Sequence, residues 1–237
     1  MGAQPENTGS GGAPGGALRP LVLATGNRGK VAEFQSLLGP YGFKIILPAD
    51  LGFTADVEET ADTFVGNAFL KAAALAAVSP HPVLSDDSGL QVDALGGAPG
   101  VYSARYASLE NDPALAAGPG PQTPHVWTDA SGKPLPQAAA NRAKLRDAMK
   151  GRQDRKARFR CVLCYLVPGH EAAFYEGVCE GRIAEEERGE GGFGYDPLFI
   201  PDGRDETFAE LPGEVKDVLS HRGKAVALFL KSHGQAA

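Results

Sequence analysis

Val83-Leu84-Ser85-Asp86-Asp87-Ser88-Gly89-Leu90 joins a short apolar run to two adjacent carboxylates, a hydroxyl and a glycine. Val83 and Leu84 read as a buried strand, and strands disfavour aspartate. Asp86 and Asp87 are therefore expected at the strand's end, where open sheets build their sites and hard oxygen ligands can meet a cation. Asp, Ser and Gly are also turn residues, so the segment by itself leaves a working carboxylate site and a plain turn both open.

Working outward, Leu21-Val22-Leu23-Ala24 is a second candidate strand, and Val31, Phe34 and Leu38 recur at helical spacing to predict a helix from about Lys30. Residues 44–47 read as a strand stopped by Pro48, and an alanine-rich helix is expected over residues 60–78 with Thr60 and Asp62 as candidate caps. Downstream, a helix is expected near 138–150, antiparallel strands at 158–167 and 173–178 about Pro168-Gly169, a short strand at 198–200 and a helix over 220–231. This order predicts an α/β or α+β sheet with a helical cover. Residues 1–19 are glycine, proline and small polar groups and are expected to form a disordered tail. Residues 107–137, rich in proline, glycine and alanine, read as an exposed insertion in a unit spanning 20–232, with 233–237 as a second tail.

With 237 residues and 43% apolar content the chain can bury a real core. Its net charge of -6 argues against a general nucleic-acid grip but not against a single nucleotide. Neither a membrane span nor a signal peptide is legible, which predicts a cytoplasmic protein. Cys161 and Cys164 form a C-x-x-C inside an expected strand, where residues three apart point to opposite faces; core packing is therefore favoured over metal or redox work.

Four segments can carry chemistry. Thr25-Gly26-Asn27-Arg28-Gly29-Lys30 sits between a strand and a helix and outlines a phosphate cradle, although it lacks P-loop spacing and could be an ordinary turn. Glu59, Thr63, Asn67 and Lys71 step by four into a polar stripe, which on spacing alone is better read as a solvated face. Gly191-Gly192-Phe193-Gly194-Tyr195-Asp196-Pro197 suits a loop lying close to a flat ligand, with Phe193 or Tyr195 stacked on it. Ser220-His221-Arg222-Gly223, with Lys216 upstream, is either a base-reading set of donors or a basic cap on a surface helix.

Taken together in chain order, these segments and Gly97-Ala98-Pro99-Gly100-Val101-Tyr102-Ser103-Ala104-Arg105-Tyr106 closely resemble the HAM1/RdgB-like inosine triphosphate pyrophosphatase family over about residues 20–232. The resemblance implies an elongated α/β fold, a mixed central sheet flanked by helices with two lobes around a cleft, usually dimeric. It implies hydrolysis of ITP, dITP or XTP to the monophosphate and pyrophosphate, with Mg²⁺ held by Glu59 and Asp87. Asp87 would also be the proton acceptor, and Asp86 a supporting residue. By the same resemblance Thr25, Gly26, Asn27, Arg28, Gly29, Lys30 and Lys71 would hold the triphosphate, and Ser88 would touch the substrate. Phe193, Gly194, Tyr195 and Asp196 would pack around base and sugar, and Lys216, His221 and Arg222 would complete base recognition. The chain departs from the family pattern in its longer 107–137 segment, in Ala107 where glycine is frequent, and in Val215 where glutamate is frequent. A Maf-like pyrophosphatase is the nearest rival, opposed by the His221-Arg222 pair. A nucleotide-binding protein without catalysis is the other, opposed by intact Glu59, Lys71 and Asp87.

Overall fold

The computed structural model describes residues 18–54, 57–109 and 126–233. The expected N-terminal tail gives up its last residue to the sheet, since β1 (Arg19–Ala24) starts at Arg19. The remainder of that tail, most of the 107–137 segment and residues 234–237 lie outside the described residues.

One mixed sheet of six strands runs through the described residues in the order β2-β1-β3-β4-β5-β6. After β1 come α1 (Arg28–Leu38), β2 (Phe43–Ile46), α2 (Phe64–Ala76) and β3 (Val83–Val92). Helix α3 (Gln137–Ala148) then precedes the antiparallel pair β4 (Lys156–Leu166) and β5 (Ala173–Ile183), followed by β6 (Phe199–Pro201), α4 (Gly213–Leu219) and α5 (His221–His233). Strands β2 and β3 flank β1 in parallel, while β3, β4, β5 and β6 are mutually antiparallel. The chain leaves β1 toward β2 on one side and returns as β3 on the other. A crevice therefore opens at the carboxyl end of β1, beside the part of β3 that runs on past it, close to the usual ligand position in open α/β sheets.

The expected short strand at Val83-Leu84 is corrected by this register. β3 runs ten residues, so Asp86 and Asp87 lie within it and the turn reading fails. Their pairing with β1 ends at Ala24↔Ser85, but pairing with β4 continues from Val83↔Leu166 to Val92↔Ala157. The aspartates thus stand just past the end of β1, still supported by β4. A strand tolerates them because each has cationic partners on its own face.

Successive strand residues face opposite ways. Leu84 belongs to a cluster with Leu23, Phe34, Cys161, Leu163 and Phe229, under α1 and α5. Val83 belongs to one with Val22, Phe64, Ala68, Ala72 and Cys164, under α2. Cys161 and Cys164 thus fall in separate clusters on opposite faces, as the C-x-x-C spacing in a strand predicts. Burial pushes their thiols up to about 12 and about 11, which leaves them unreactive. A third cluster, including Leu90, Val92, Tyr106, Leu145, Phe159 and Phe208, fills the lobe around the far ends of β3, β4 and β5.

Several helix boundaries differ from expectation. α1 begins at Arg28, not near Lys30, because Asn27 caps it by accepting from the Gly29 and Lys30 amides at 2.9 and 3.2 Å. α2 starts only at Phe64, with Thr63 as its cap accepting from the Gly66 amide, so neither Thr60 nor Asp62 fills that role. Helix α4 was not expected at all. It is seven residues long, too short to show a periodicity, and Ser220 ends it while capping α5 through the Gly223 amide at 3.0 Å. Gly223 is required at this corner because a Cβ there would collide with the Asp217 carbonyl oxygen.

Candidate active site

The crevice at the sheet's switch point widens into a cleft of about 1370 Å³ between the two lobes. Every residue assigned to the site from sequence lines it except Gly29, and Asp86 does not reach it. Six lysines and arginines, Arg28, Lys30, Lys71, Arg105, Lys216 and Arg222, line the cleft against four acids, Glu58, Glu59, Asp87 and Asp196. In a chain of net charge -6 that local excess is a field for an anion.

On the α2 face, Lys71 Nζ sits 2.7 Å from Glu59 Oε1 and 2.8 Å from Asp87 Oδ1. Arg105 Nη1 reaches Glu59 Oε2 at 3.3 Å, giving the series Asp87-Lys71-Glu59-Arg105. Asn67, fully buried, accepts the Ala61 amide at 2.9 Å and extends its Nδ2 to 3.4 Å from Asp87 Oδ2, tying the segment before α2 to β3. The four-residue stripe is thus no solvated face: Thr63 caps the helix, Asn67 and Lys71 point at β3, and Glu59 meets them from the preceding loop. Burial raises the Asp87 carboxyl above its ordinary value, with Lys71 only partly offsetting it. Burial also works to raise Glu59, but Lys71, Lys30 and Arg105 hold it below the ordinary value. Lys71 is held above its usual range, because the surrounding carboxylates outweigh its own burial.

On the opposite face, Asp86 takes Lys30 Nζ at 2.9 Å, Arg222 Nη2 at 3.1 Å and the Ser88 hydroxyl at 3.0 Å. Burial opposes its ionisation, but Lys30 and Arg222 prevail and hold the carboxyl far below the usual aspartate value. Arg222 also bonds Glu33, which shares its other oxygen with Lys216 at 2.5 Å; Lys216 continues to Asp196 at 2.7 Å. Sequence reasoning missed Glu33. Its only signal is a position one turn beyond Lys30 on α1, which any surface acid could occupy.

The base-facing candidates separate into two kinds. Phe193 borders the cleft, with Lys216 Nζ 5.1 Å and Arg222 Cζ 5.8 Å from its ring centre. Gly29 is what lets α1 approach it, since a Cβ there would stand 2.6 Å from the ring. Tyr195 is instead packed into the third cluster, its hydroxyl donating to the Ser103 carbonyl at 2.9 Å, and so supports the cleft wall. Asp196 accepts the Phe193 amide at 2.7 Å and fixes the loop. His221 and Arg222 are buried, which removes the surface-cap reading. The His221 ring stacks on Phe159 at 4.7 Å and 11°. Burial, then Arg222 and Lys216, keeps it neutral well below its ordinary value. Its Nδ1 has no hydrogen-bond partner among the described residues.

Among the cradle residues, Thr25 Oγ1 accepts the Asn27 amide at 3.2 Å. The Gly29 and Lys30 amides of this cradle are taken by Asn27 Oδ1, leaving the Arg28 and Lys30 side chains as its cations at the cleft. No group of three His, Cys, Asp or Glu side chains suited to a metal occurs among the described residues. The Lys71 ammonium nevertheless lies between the Glu59 and Asp87 carboxylates, and this marks a position favourable to positive charge. Two cleft-lining carboxylates fit a hard divalent cation that completes its shell with phosphate oxygens and water.

A mixed sheet whose switch-point cleft alternates carboxylates with cations defines an α/β protein built to take a polyanionic small molecule. The Ham1 family model matches residues 21–117 and 113–232, and the chain belongs to the Ham1 family. It is 43% identical over 216 residues to the dITP/XTP pyrophosphatase of Bacillus subtilis, covering 90% of this chain and 96% of the relative. It is 45% identical over 209 residues to the protein of that name from Desulforamulus reducens, covering 87% and 91%. The solved structure of a HAM1 protein from Coxiella burnetii superposes with a TM-score of 0.73 at 35% identity, covering 92% of this chain and all of the other.

Proposed function

We propose that this protein hydrolyses non-canonical purine nucleoside triphosphates, ITP, dITP and XTP, to the monophosphate and pyrophosphate. The observation that carries the reading is the Glu59-Lys71-Asp87 cluster at a cleft whose other end holds buried base-facing donors. The relatives named dITP/XTP pyrophosphatase support it.

In this reading Lys30 and Lys71 bind the phosphates, with Thr25 to Gly29 shaping the turn beneath them. Asp87, its carboxyl raised by burial, accepts a proton from the attacking water. The water oxygen bonds to the α-phosphorus, the α–β anhydride bond breaks, and its electron pair leaves on pyrophosphate. Mg²⁺, with Glu59 and Asp87 as its protein ligands, supplies charge neutralisation and Lewis-acid polarisation of the phosphates when bound. Ser88 lines the cleft beside Asp87, while Phe193 offers a ring face to the base. Neutral His221 and charged Arg222 can donate to a 6-oxo group. A 6-amino purine offers no acceptor at that position, which favours inosine and xanthine over adenine.

A homodimer belongs to the same proposal, supported by the exposed Val65 and Phe69 on α2, which a second copy would cover; light scattering that returns a monomer mass removes this part. A cytoplasmic location fits the three free thiols. Among the described residues no helix is long and apolar enough to cross a membrane. The central test is pyrophosphate release from ITP, dITP, XTP, GTP and ATP with Mg²⁺ present. Turnover of the first three well above that of ATP is expected, and no release from any of them refutes the reading.

A further inference from the structure

Two series of alternating charges meet at the Asp86-Asp87 step. One runs Asp196-Lys216-Glu33-Arg222-Asp86-Lys30 from the base-facing end, the other Asp87-Lys71-Glu59-Arg105 away from it. Arg105 is therefore the last cation of the two series counted from the base, and among the cations of those series it is the most loosely held. Its two hydrogen bonds, to Glu59 Oε2 at 3.3 Å and the Glu59 carbonyl at 3.4 Å, are both long. Its side chain is 41% exposed in the cleft wall, against 13% for Lys71.

The backbone beneath it, by contrast, is firmly placed. Asn141 of α3 donates to the carbonyls of Ser103 and Ala104 at 3.1 and 3.0 Å and accepts the Ala107 amide at 2.7 Å, so it clamps the chain on both sides of Arg105. Tyr195 bonds the Ser103 carbonyl as well. The Tyr102 ring lies 5.3 Å from the guanidinium carbon. A charged fork with spare donors, on a clamped backbone at the phosphate end of a cleft, is suited to a phosphate group rather than to its weak bonds with Glu59.

We infer that Arg105 receives the terminal phosphates of the substrate and holds the pyrophosphate as it leaves. The inference rests on the proposed triphosphate orientation. When the α–β anhydride bond breaks, its electron pair stays on pyrophosphate, and the guanidinium stabilises that charge at the end opposite the base.

The test titrates inorganic pyrophosphate and, separately, inosine monophosphate into the full chain by calorimetry, with Mg²⁺ and with chelator. It uses the wild type, Arg105→Gln and Arg105→Lys. Loss of a charged bidentate contact is expected to weaken pyrophosphate binding by about 10- to 100-fold in Arg105→Gln. Arg105→Lys should fall between, and monophosphate binding should be unchanged in both. Unchanged pyrophosphate affinity in Arg105→Gln, or equal weakening of both ligands in both variants, overturns the assignment. The parent reading fails separately, if the wild type releases no pyrophosphate from ITP or XTP.

Discussion

Asp86→Asn is expected to cost stability through a group that does not reach the cleft. The amide keeps the carboxylate's shape and can still accept the Ser88 hydroxyl, but it removes the charge that holds Lys30 at 2.9 Å and Arg222 at 3.1 Å. Lys30, with 16% of its side chain exposed, can turn toward solvent; Arg222, at 2%, cannot, although Glu33 still holds its other arm. Breaking one side of a buried ion pair costs about 3–5 kcal/mol, and the retained Glu33 contact places this case near about 3. For a chain of this size that is a fall in Tm of roughly 6–12 °C. Urea and thermal unfolding of both proteins measure it. The sign with pH follows from the depressed Asp86 carboxyl. Its contribution is complete above the unfolded-state value near about 4 and is lost as pH falls below it. The gap between wild type and variant should stay level from about pH 5 to 8 and narrow only in stronger acid. Because the pair is buried, raising salt from about 0.1 M to about 1 M should leave the gap nearly intact. A Tm shift below about 2 °C, or a gap that fades with salt, refutes the reasoning.

Asp87→Asn should do the reverse: burial already disfavours that carboxylate's ionised form, so unfolding should barely move while kcat on ITP drops about 10²- to 10⁴-fold; comparable turnover by the variant would show that Asp87 is not the base. Gly29→Ala should displace Phe193 and lower kcat/KM by about 10- to 100-fold without lowering the melting temperature. Steady-state kinetics with unchanged values would mean that the ring is not part of the binding surface. Chelation should abolish pyrophosphate release and added Mg²⁺ restore it, whereas full activity in chelator removes the metal from the proposal. The native chain should react slowly with iodoacetamide and expose its three thiols only on unfolding, as their burial demands. Rapid native labelling at Cys161 or Cys164 would contradict the packing.

What was legible in the sequence divides along physical lines. Short apolar runs and helical spacing located β1, α1, β4 and β5 because burial of one face writes a period into the chain. The length of β3 was not legible: Asp86 and Asp87 break any strand propensity, and their cationic partners come from α1, α2 and α5, far away in sequence. The same distance hid Glu33, whose role exists only because α1 packs beside α4 and α5. It also hid the α2 stripe, whose solvated look is cancelled by the approach of β3. Nearly every residue assigned to the site from the six ordered motifs, on the other hand, borders the cleft. Tyr195 shows where motif reading stops, since an aromatic among glycines reads alike whether it faces a ligand or props up the wall.

The strand setting also gives the two adjacent aspartates different surroundings. Two carboxylates in sequence on a turn can converge on one cation, whereas on a strand they point to opposite faces. Asp86 therefore falls on the side of α1 and α5, where buried Arg222 and Lys30 make it a fixed anion. Asp87 falls on the side of α2, where Lys71 and Glu59 meet it at the cleft and burial raises its carboxyl. A register slip of one residue between β3 and β4 would exchange these surroundings, placing Asp87 against Arg222 and turning Asp86 toward Lys71. The ten-residue antiparallel pairing with β4 prevents this, because the apolar side chains of Val83, Leu84, Leu90 and Val92 would change faces in the same movement. The division between an aspartate that supports the fold and one at the cleft is thus enforced by the core packing on both sides of the sheet.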